Sequence, residues 1–204
     1  MREHTLVSAR GPYHTVMGLI HPEVGIGSMR RAGLFLTVGL AMASPAAAQA
    51  GNGARQDYLL AVAGFFSLPP NEVAILGDWD ILADELPVVL FMARRAGVSP
   101  EALVALRGAG HGWSALATRY RVTAAALHVP VRDDAQAGSL SGVYESYRST
   151  PVAEWGTIRV SDRDIIGLVN VRVISQVLRL SAEQVLGRVG STASFVELYA
   201  QLQH

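Results

Sequence analysis

The stretch that most constrains the fold is Val98-Ser99-Pro100-Glu101-Ala102-Leu103. Ser99 can cap a helix by accepting from a free backbone N–H of the first turn. Pro100 then stands at the first helical position, where its missing N–H costs nothing. Glu101 places negative charge at the positive end of the helix. Gly97, just before, suits the left-handed close of a preceding helix. The spacing therefore predicts helices over 86–96 and 100–107 with a tight corner between them. The same start signal recurs at Leu68-Pro69-Pro70-Asn71-Glu72-Val73 and at Leu180-Ser181-Ala182-Glu183-Gln184-Val185, and more faintly at Val122-Thr123-Ala124.

These signals belong to a longer internal match. Residues 84–121 align without a gap on 166–203. The identities are Leu86/Leu168, Val89/Val171, Ser99/Ser181, Glu101/Glu183, Gly108/Gly190 and Leu116/Leu198. Caps fall on caps and apolar positions on apolar positions, as in a duplicated supersecondary unit. The expected fold is all-α: two pseudo-repeated three-helix units, an N-terminal helix pair, and a long irregular connection. Unit 1 with the helix pair is 51–128, the connection 129–160 and unit 2 161–204.

The first fifty residues read as a leader and not as fold. Met29-Arg30-Arg31 is basic, residues 32–43 are apolar, and Ser44-Pro45-Ala46-Ala47-Ala48-Gln49-Ala50 offers an A-x-A cleavage site. Cleavage after Ala48 or after Ala50 fits equally. The apolar run is about a dozen residues, short of the roughly twenty that span a bilayer. Residues 1–28 sit awkwardly before such a leader, and Met29 reads as the true start. A periplasmic or secreted protein is expected, with no transmembrane span after cleavage.

Charge and composition narrow the chemistry. The totals are 17 Lys+Arg and 17 Asp+Glu. The leader region takes four arginines and two acids with it, leaving about two net negative charges on the mature chain. That balance opposes general nucleic-acid or anionic-membrane binding. Every basic residue is Arg, so Schiff-base lysines, Ser-Lys dyads and the Walker lysine are excluded. There is no Cys. Disulfides, thiol catalysis, Cys-zinc sites and a lipoprotein anchor are therefore excluded, and an exported chain must rely on its core.

The remaining helices follow from periodicity. Residues 56–66 carry Tyr58, Leu59, Leu60, Val62, Phe65 and Phe66 on most faces, closed by Pro69-Pro70, with a second short helix over 71–76. Gly77-Asp78-Trp79-Asp80 reads as a turn. Asp84 and Glu85 charge the start of the helix over 86–96, where Leu86, Val89, Leu90 and Ala93 form an apolar stripe. Trp113, Leu116, Ala117 and Tyr120 share one face of a short helix over 113–120. Beyond Val129 the pattern is lost, although Tyr144, Tyr147 and Trp155 suggest packing on the core. Ser161-Asp162-Arg163-Asp164 resembles a capping box with Asp for Glu. It opens a helix over 165–178, followed by helices over 181–188 and 194–203.

Few residues look chemical. The mature chain holds His111, His128 and His204, and none lies in a recognised catalytic or metal motif. No cofactor or metal site is expected. Asp78, Asp80, Asp84 and Glu85 cluster around Trp79, and Asp78, Asp80 and Glu85 could serve a small envelope enzyme if they converge in a cleft. His111, between glycines, is the most exposed acid–base candidate.

The run Trp113-Ser114-x-x-Ala117-x-Arg119-Tyr120-x-Val122, ending at Leu127, resembles the middle of a LysM module. That resemblance implies binding to N-acetylglucosamine polymers such as peptidoglycan, through residues 113–127. It lacks the Pro-Gly-Asp strand before and the closing strand after. The same run resembles a helix-turn-helix with Ala117 and Val122 at its packing positions. Its second helix would be Ala-rich and without Arg, and export opposes DNA binding. The leading expectation is a non-enzymatic scaffold or adaptor of the cell envelope. Its partner would be an envelope protein or cell-wall polymer, met through Trp79, His111, Trp113 and Tyr120.

Overall fold

The computed structural model describes residues 45–204, which comprise ten α-helices, three 3₁₀ turns and no strand. The segment read as an extension, and the leader up to residue 44, lie outside the described residues. The all-α expectation holds for the rest.

Helix α1 (Pro45–Phe65) begins well before the expected residue 56. Its C-terminal half buries Tyr58, Leu59, Val62 and Ala63, with Phe66 just beyond, the i, i+1, i+4, i+5, i+8 pattern of one helical face. Ser67 closes it in the left-handed region (φ 50°), and the Leu68 N–H donates to the Ala63 carbonyl at 2.9 Å. Helix α2 (Pro70–Asp78) starts with proline at its first position and runs through Gly77, so the expected turn begins later, at Trp79.

A 3₁₀ turn (Ala83–Glu85) leads into α3 (Leu86–Ala96). Leu86 through Ala93 are all buried, so α3 lies inside the bundle and not on its surface. Helix α4 (Pro100–Gly108) opens as its sequence predicts: the Ser99 Oγ accepts from the Ala102 N–H at 3.3 Å. Helices α5 (Trp113–Arg119) and α6 (Ala124–Leu127) are short.

The expected irregular connection is corrected here. It contains a 3₁₀ turn (Gly138–Leu140), helix α7 (Ser141–Ser149) and a second 3₁₀ turn (Val152–Thr157). Serines, glycine and charge mask α7 in the sequence, but Val143, Tyr144 and Tyr147 form a buried i, i+1, i+4 stripe. Tyr144 Oη donates to the Val129 carbonyl at 3.0 Å and Tyr147 Oη to the Ala124 carbonyl at 2.7 Å. Burial pushes the Tyr144 hydroxyl up to about 12 and Tyr147 higher still, consistent with hydroxyls that act only as neutral donors.

Helix α8 (Asp162–Leu178) is opened by a complete capping box between Ser161 and Asp164. Despite Val169, Val171, Val173 and Ile174 it is helical, because those side chains and Leu168 are buried against neighbours on several sides. It packs on α3, and α1 and α5 lie against it. Gly167 permits the close approach of the 138–140 turn: a Cβ there would sit 2.7 Å from Leu140 Cδ2. Helix α9 (Ala182–Leu186) has a second capping box, between Ser181 and Gln184, and α10 (Phe195–Leu202) is capped by Ser194. Among the described residues no helix is long and apolar enough to cross a membrane.

Gly97 closes α3 at φ +67°, with nothing within 4 Å of a Cβ built there. Its role is thus conformational and not one of space. Gly97→Ala is expected to destabilise the fold by about 1 kcal/mol, the cost of a left-handed non-glycine residue. Urea unfolding followed by circular dichroism measures it, and an unchanged midpoint would contradict the left-handed closure.

Candidate functional site

Helix α5 ends in a tight reversal. The Val122 N–H donates to the Ala117 carbonyl at 2.9 Å, and Arg121 takes up the left-handed conformation (φ 57°), the geometry that satisfies the last carbonyls of a helix. Val122 is thereby turned into the core and Arg121 outward into solvent. Opposite runs the second 3₁₀ turn and the segment 158–160. Trp155 pins this wall: its Nε1 donates to the carbonyls of Tyr147 (3.1 Å) and Thr150 (3.0 Å), and its ring lies 4.2 Å from that of His128. Arg172 of α8 secures the chain beneath, donating to the carbonyls of Ala126, Leu127 and His128 at 3.2, 3.1 and 2.7 Å.

Between the walls lies an open groove of about 810 Å³, within the roughly 300–1,000 Å³ of ligand clefts. Ser114, Thr118, Arg121, Thr123, Thr157 and Arg159 supply its polar lining. Ala117, Val122, Ala124 and Val160 supply apolar lining. No acidic side chain lines it. Arg121 and Arg159 are exposed, and neither forms an ion pair among the described residues.

The groove's α5 wall is anchored from across the fold. The carboxylate of Asp162, first residue of α8, accepts from the N–H groups of Trp113 (2.9 Å) and Ser114 (2.8 Å). Gly112 makes room, since a Cβ there would meet Asp162 Oδ2 at 2.9 Å. Arg107 adds a two-point pair with Glu85, through Nε at 3.1 Å and Nη2 at 2.7 Å, and its guanidinium lies 5.6 Å from the centre of the Trp113 ring. A similar anchor stands at α10. Asp84 accepts from the N–H groups of Phe195 (3.0 Å) and Val196 (3.3 Å). So Asp84, expected to charge the start of α3, instead serves the last helix.

The two anchors titrate in opposite directions. Partial burial pushes Asp162 up, but the N–H groups of Ser114 and Trp113 and the nearby Arg107 outweigh it and hold the carboxyl below its usual range. At Asp84, burial outweighs the two N–H bonds and raises it. A depressed carboxyl contributes stability above its unfolded value, about 3.9, and loses it as pH falls through the lower folded value. A raised carboxyl contributes below its unfolded value and loses that as pH rises. Asp162→Asn is therefore expected to flatten the acid loss of stability below about pH 4. Urea midpoints at pH 6 and pH 3 check this, and an unaltered acid limb would contradict the cap.

The residues singled out from sequence fare unevenly. Trp113 is a core residue with 0% exposure and cannot be a surface contact. Trp79 is half-buried against the core, and Tyr120 is half-buried beneath Arg119 and does not line the groove. His111 is exposed; its carbonyl accepts from Arg107 Nη1 at 3.3 Å. Asp78 and Asp80 are exposed at the end of α2, whereas Glu85 is 5% exposed and held by Arg107. The three carboxylates do not converge in a cleft. Among the described residues no group of His, Asp or Glu could hold a metal ion.

The LysM-like run forms α5 and α6 with no flanking strand among the described residues, so the module that the resemblance implied is not formed. In the helix-turn-helix comparison Ala117 and Val122 are indeed buried, but the second helix is a single turn with Ala124 and Leu127 in the core. Arg121, Thr157 and Arg159 escaped the sequence reading because they meet only through the fold. The one clue was the aromatic content around Trp155. Comparison with known proteins finds no matching family model, no matching curated protein and no matching solved structure.

Proposed function

We propose that the protein is a non-enzymatic interaction module of the bacterial cell envelope, exported by the leader read at residues 29–50, and that the groove between α5–α6 and residues 156–160 is its binding surface. The observation that carries this reading is a division of labour among charged groups. Glu85 is paired with Arg107, Asp84 and Asp162 cap helices, and Arg172 binds three carbonyls. Arg121 and Arg159 line the groove with no ion-pair partner among the described residues.

The scaffold is a pair of pseudo-repeated units, α3–α4–α5 and α8–α9–α10. Supporting this, Gly97 and Arg179 both end their helices in the left-handed region, Ser99 and Ser181 both cap the next helix, and Trp113 and Phe195 both begin the third. Each pair occupies equivalent positions in the internal alignment. Each unit's third helix is also capped by an aspartate from the other side, Asp162 for α5 and Asp84 for α10.

A cell-wall polymer is the second reading, favoured by the groove's position on the LysM-like run. A photoreactive benzoylphenylalanine in place of Thr157, with the same group in place of exposed Leu82 as control, tests the proposal in cells producing the protein. A discrete adduct from position 157 alone is expected. No adduct there, or the same adduct from both positions, would overturn the groove's role. Cosedimentation of the wild type with peptidoglycan sacculi, lost in Arg121→Glu/Arg159→Glu, would transfer the assignment to the polymer.

A further inference from the structure

On the reading that the groove is the binding surface, we propose that its occupant is an extended, acidic peptide segment of a partner protein. It would lie alongside residues 158–160 with its carboxylates on Arg121 and Arg159. Three observations lead to this chemistry.

The first is charge. Two arginines and no acid line the groove, and neither arginine is neutralised among the described residues. Guanidinium groups favour planar carboxylates, which they can grip with two parallel hydrogen bonds.

The second is backbone. Ile158 is extended (φ −61°, ψ 129°) and its N–H is spent on the Trp155 carbonyl at 3.3 Å. The N–H groups of Arg159 and Val160 have no hydrogen-bond partner among the described residues. Consecutive N–H groups of an extended segment point to opposite sides, so one of these two can serve an extended chain lying in the groove, main chain to main chain. The small apolar lining of Ala117, Val122 and Ala124 leaves room for alternate side chains of such a chain.

The third separates peptide from glycan. Sugar rings present apolar faces that stack on aromatic rings, and no aromatic side chain lines the groove. The Trp that the LysM resemblance supplies is in the core, and Tyr120 lies outside the lining.

The test is fluorescence anisotropy with the purified chain and labelled octapeptides. One alternates Glu with Val, one Lys with Val, and one is the Glu peptide with alternate amides N-methylated. The Glu peptide is expected to bind, more weakly as salt rises. Its affinity is expected to fall at least tenfold for Arg121→Glu/Arg159→Glu, and for the N-methylated peptide against wild type. Thermal unfolding of the double variant, both of whose sites are exposed, is expected to match wild type. If that variant unfolds, the Lys and N-methylated peptides against wild type still decide. Equal binding of the Lys peptide, no binding of the Glu peptide, or indifference to N-methylation overturns the proposal. Chitin oligomers or soluble muropeptides binding where the Glu peptide does not would make the groove a glycan site. A position-157 adduct without Glu-peptide binding would sink the peptide class and leave the interaction module standing. Loss of both would remove both.

Discussion

Trp113→Ala is expected to lower the unfolding free energy by about 3–5 kcal/mol, the range for deleting a large aromatic from a close-packed core. Total stabilities are only about 5–15 kcal/mol, so the variant should be largely unfolded on mild heating. The side chain is fully buried, and Leu116, one turn on in the same short helix, is nearly so. Its face also carries the Arg107 guanidinium, whose attraction to the ring is lost with it. The indole Nε1 is buried without a hydrogen-bond partner among the described residues. Trp113→Phe sheds that stranded donor while keeping most of the apolar volume, and should cost clearly less than alanine. Urea unfolding of both variants measures the difference. An alanine variant within 1 kcal/mol of wild type would be incompatible with a core position. The practical corollary is that loss of binding in Trp113→Ala reports unfolding, which is why Arg121 and Arg159 are the informative sites.

Asn170→Leu is the second large effect. Asn170 lies in the middle of α8 with 0% exposure. Its Oδ1 accepts from Tyr58 Oη of α1, and its Nδ2 donates to the carbonyls of Asp84 and Ile166, each at 2.8 Å. One side chain thus ties α1, α8 and the turn before α3. Leucine fills a similar space but leaves the Tyr58 hydroxyl buried without an acceptor. Burial already pushes that hydroxyl well above its ordinary range, with the Asp84 carboxylate adding to the shift, so ionisation offers no relief. Each stranded group costs about 1–3 kcal/mol, and a loss of about 3 kcal/mol is expected. On a Tyr58→Phe background the same change should cost measurably less, because the hydroxyl is then absent and only the Asp84 and Ile166 carbonyls lose the Asn170 donor. Equal losses on the two backgrounds would mean that the two side chains are not coupled.

Much of the fold was legible in the sequence because helix ends carry local chemistry. Ser99, Ser161 and Ser181 cap where they were expected to, and Gly97 closes α3. Burial patterns were legible too: the α3 positions read as an apolar stripe are buried, together with every residue between them, and α8 is helical although its valines also suit a strand. Helix α7 was missed because Tyr144 and Tyr147 sit among serines, so that no run of apolar residues announces it. The candidate site was mostly illegible. Trp113 looked like a contact because an aromatic after Gly112 in a known motif is conspicuous, and nothing local says which way it faces. Asp84 looked like first-turn charge for α3, and Asp162 looked only like part of the Ser161–Asp164 capping box. Their real partners lie 111 and 49 positions away in the chain, a relation that periodicity cannot express.

Those two aspartates bear on how the molecule comes apart. Each begins one half of the chain and completes the opening turn of a helix in the other. If either half loosens, it takes with it the acceptor that the other half's last helix needs, and two backbone N–H groups are orphaned on each side. The halves are therefore expected to unfold together, less like modules on a string than like the two subunits of an obligate dimer that share one polypeptide. The residues between them strengthen the coupling, since Tyr144 and Tyr147 of α7 are buried in the same core, and neither half is expected to persist once the other has unfolded.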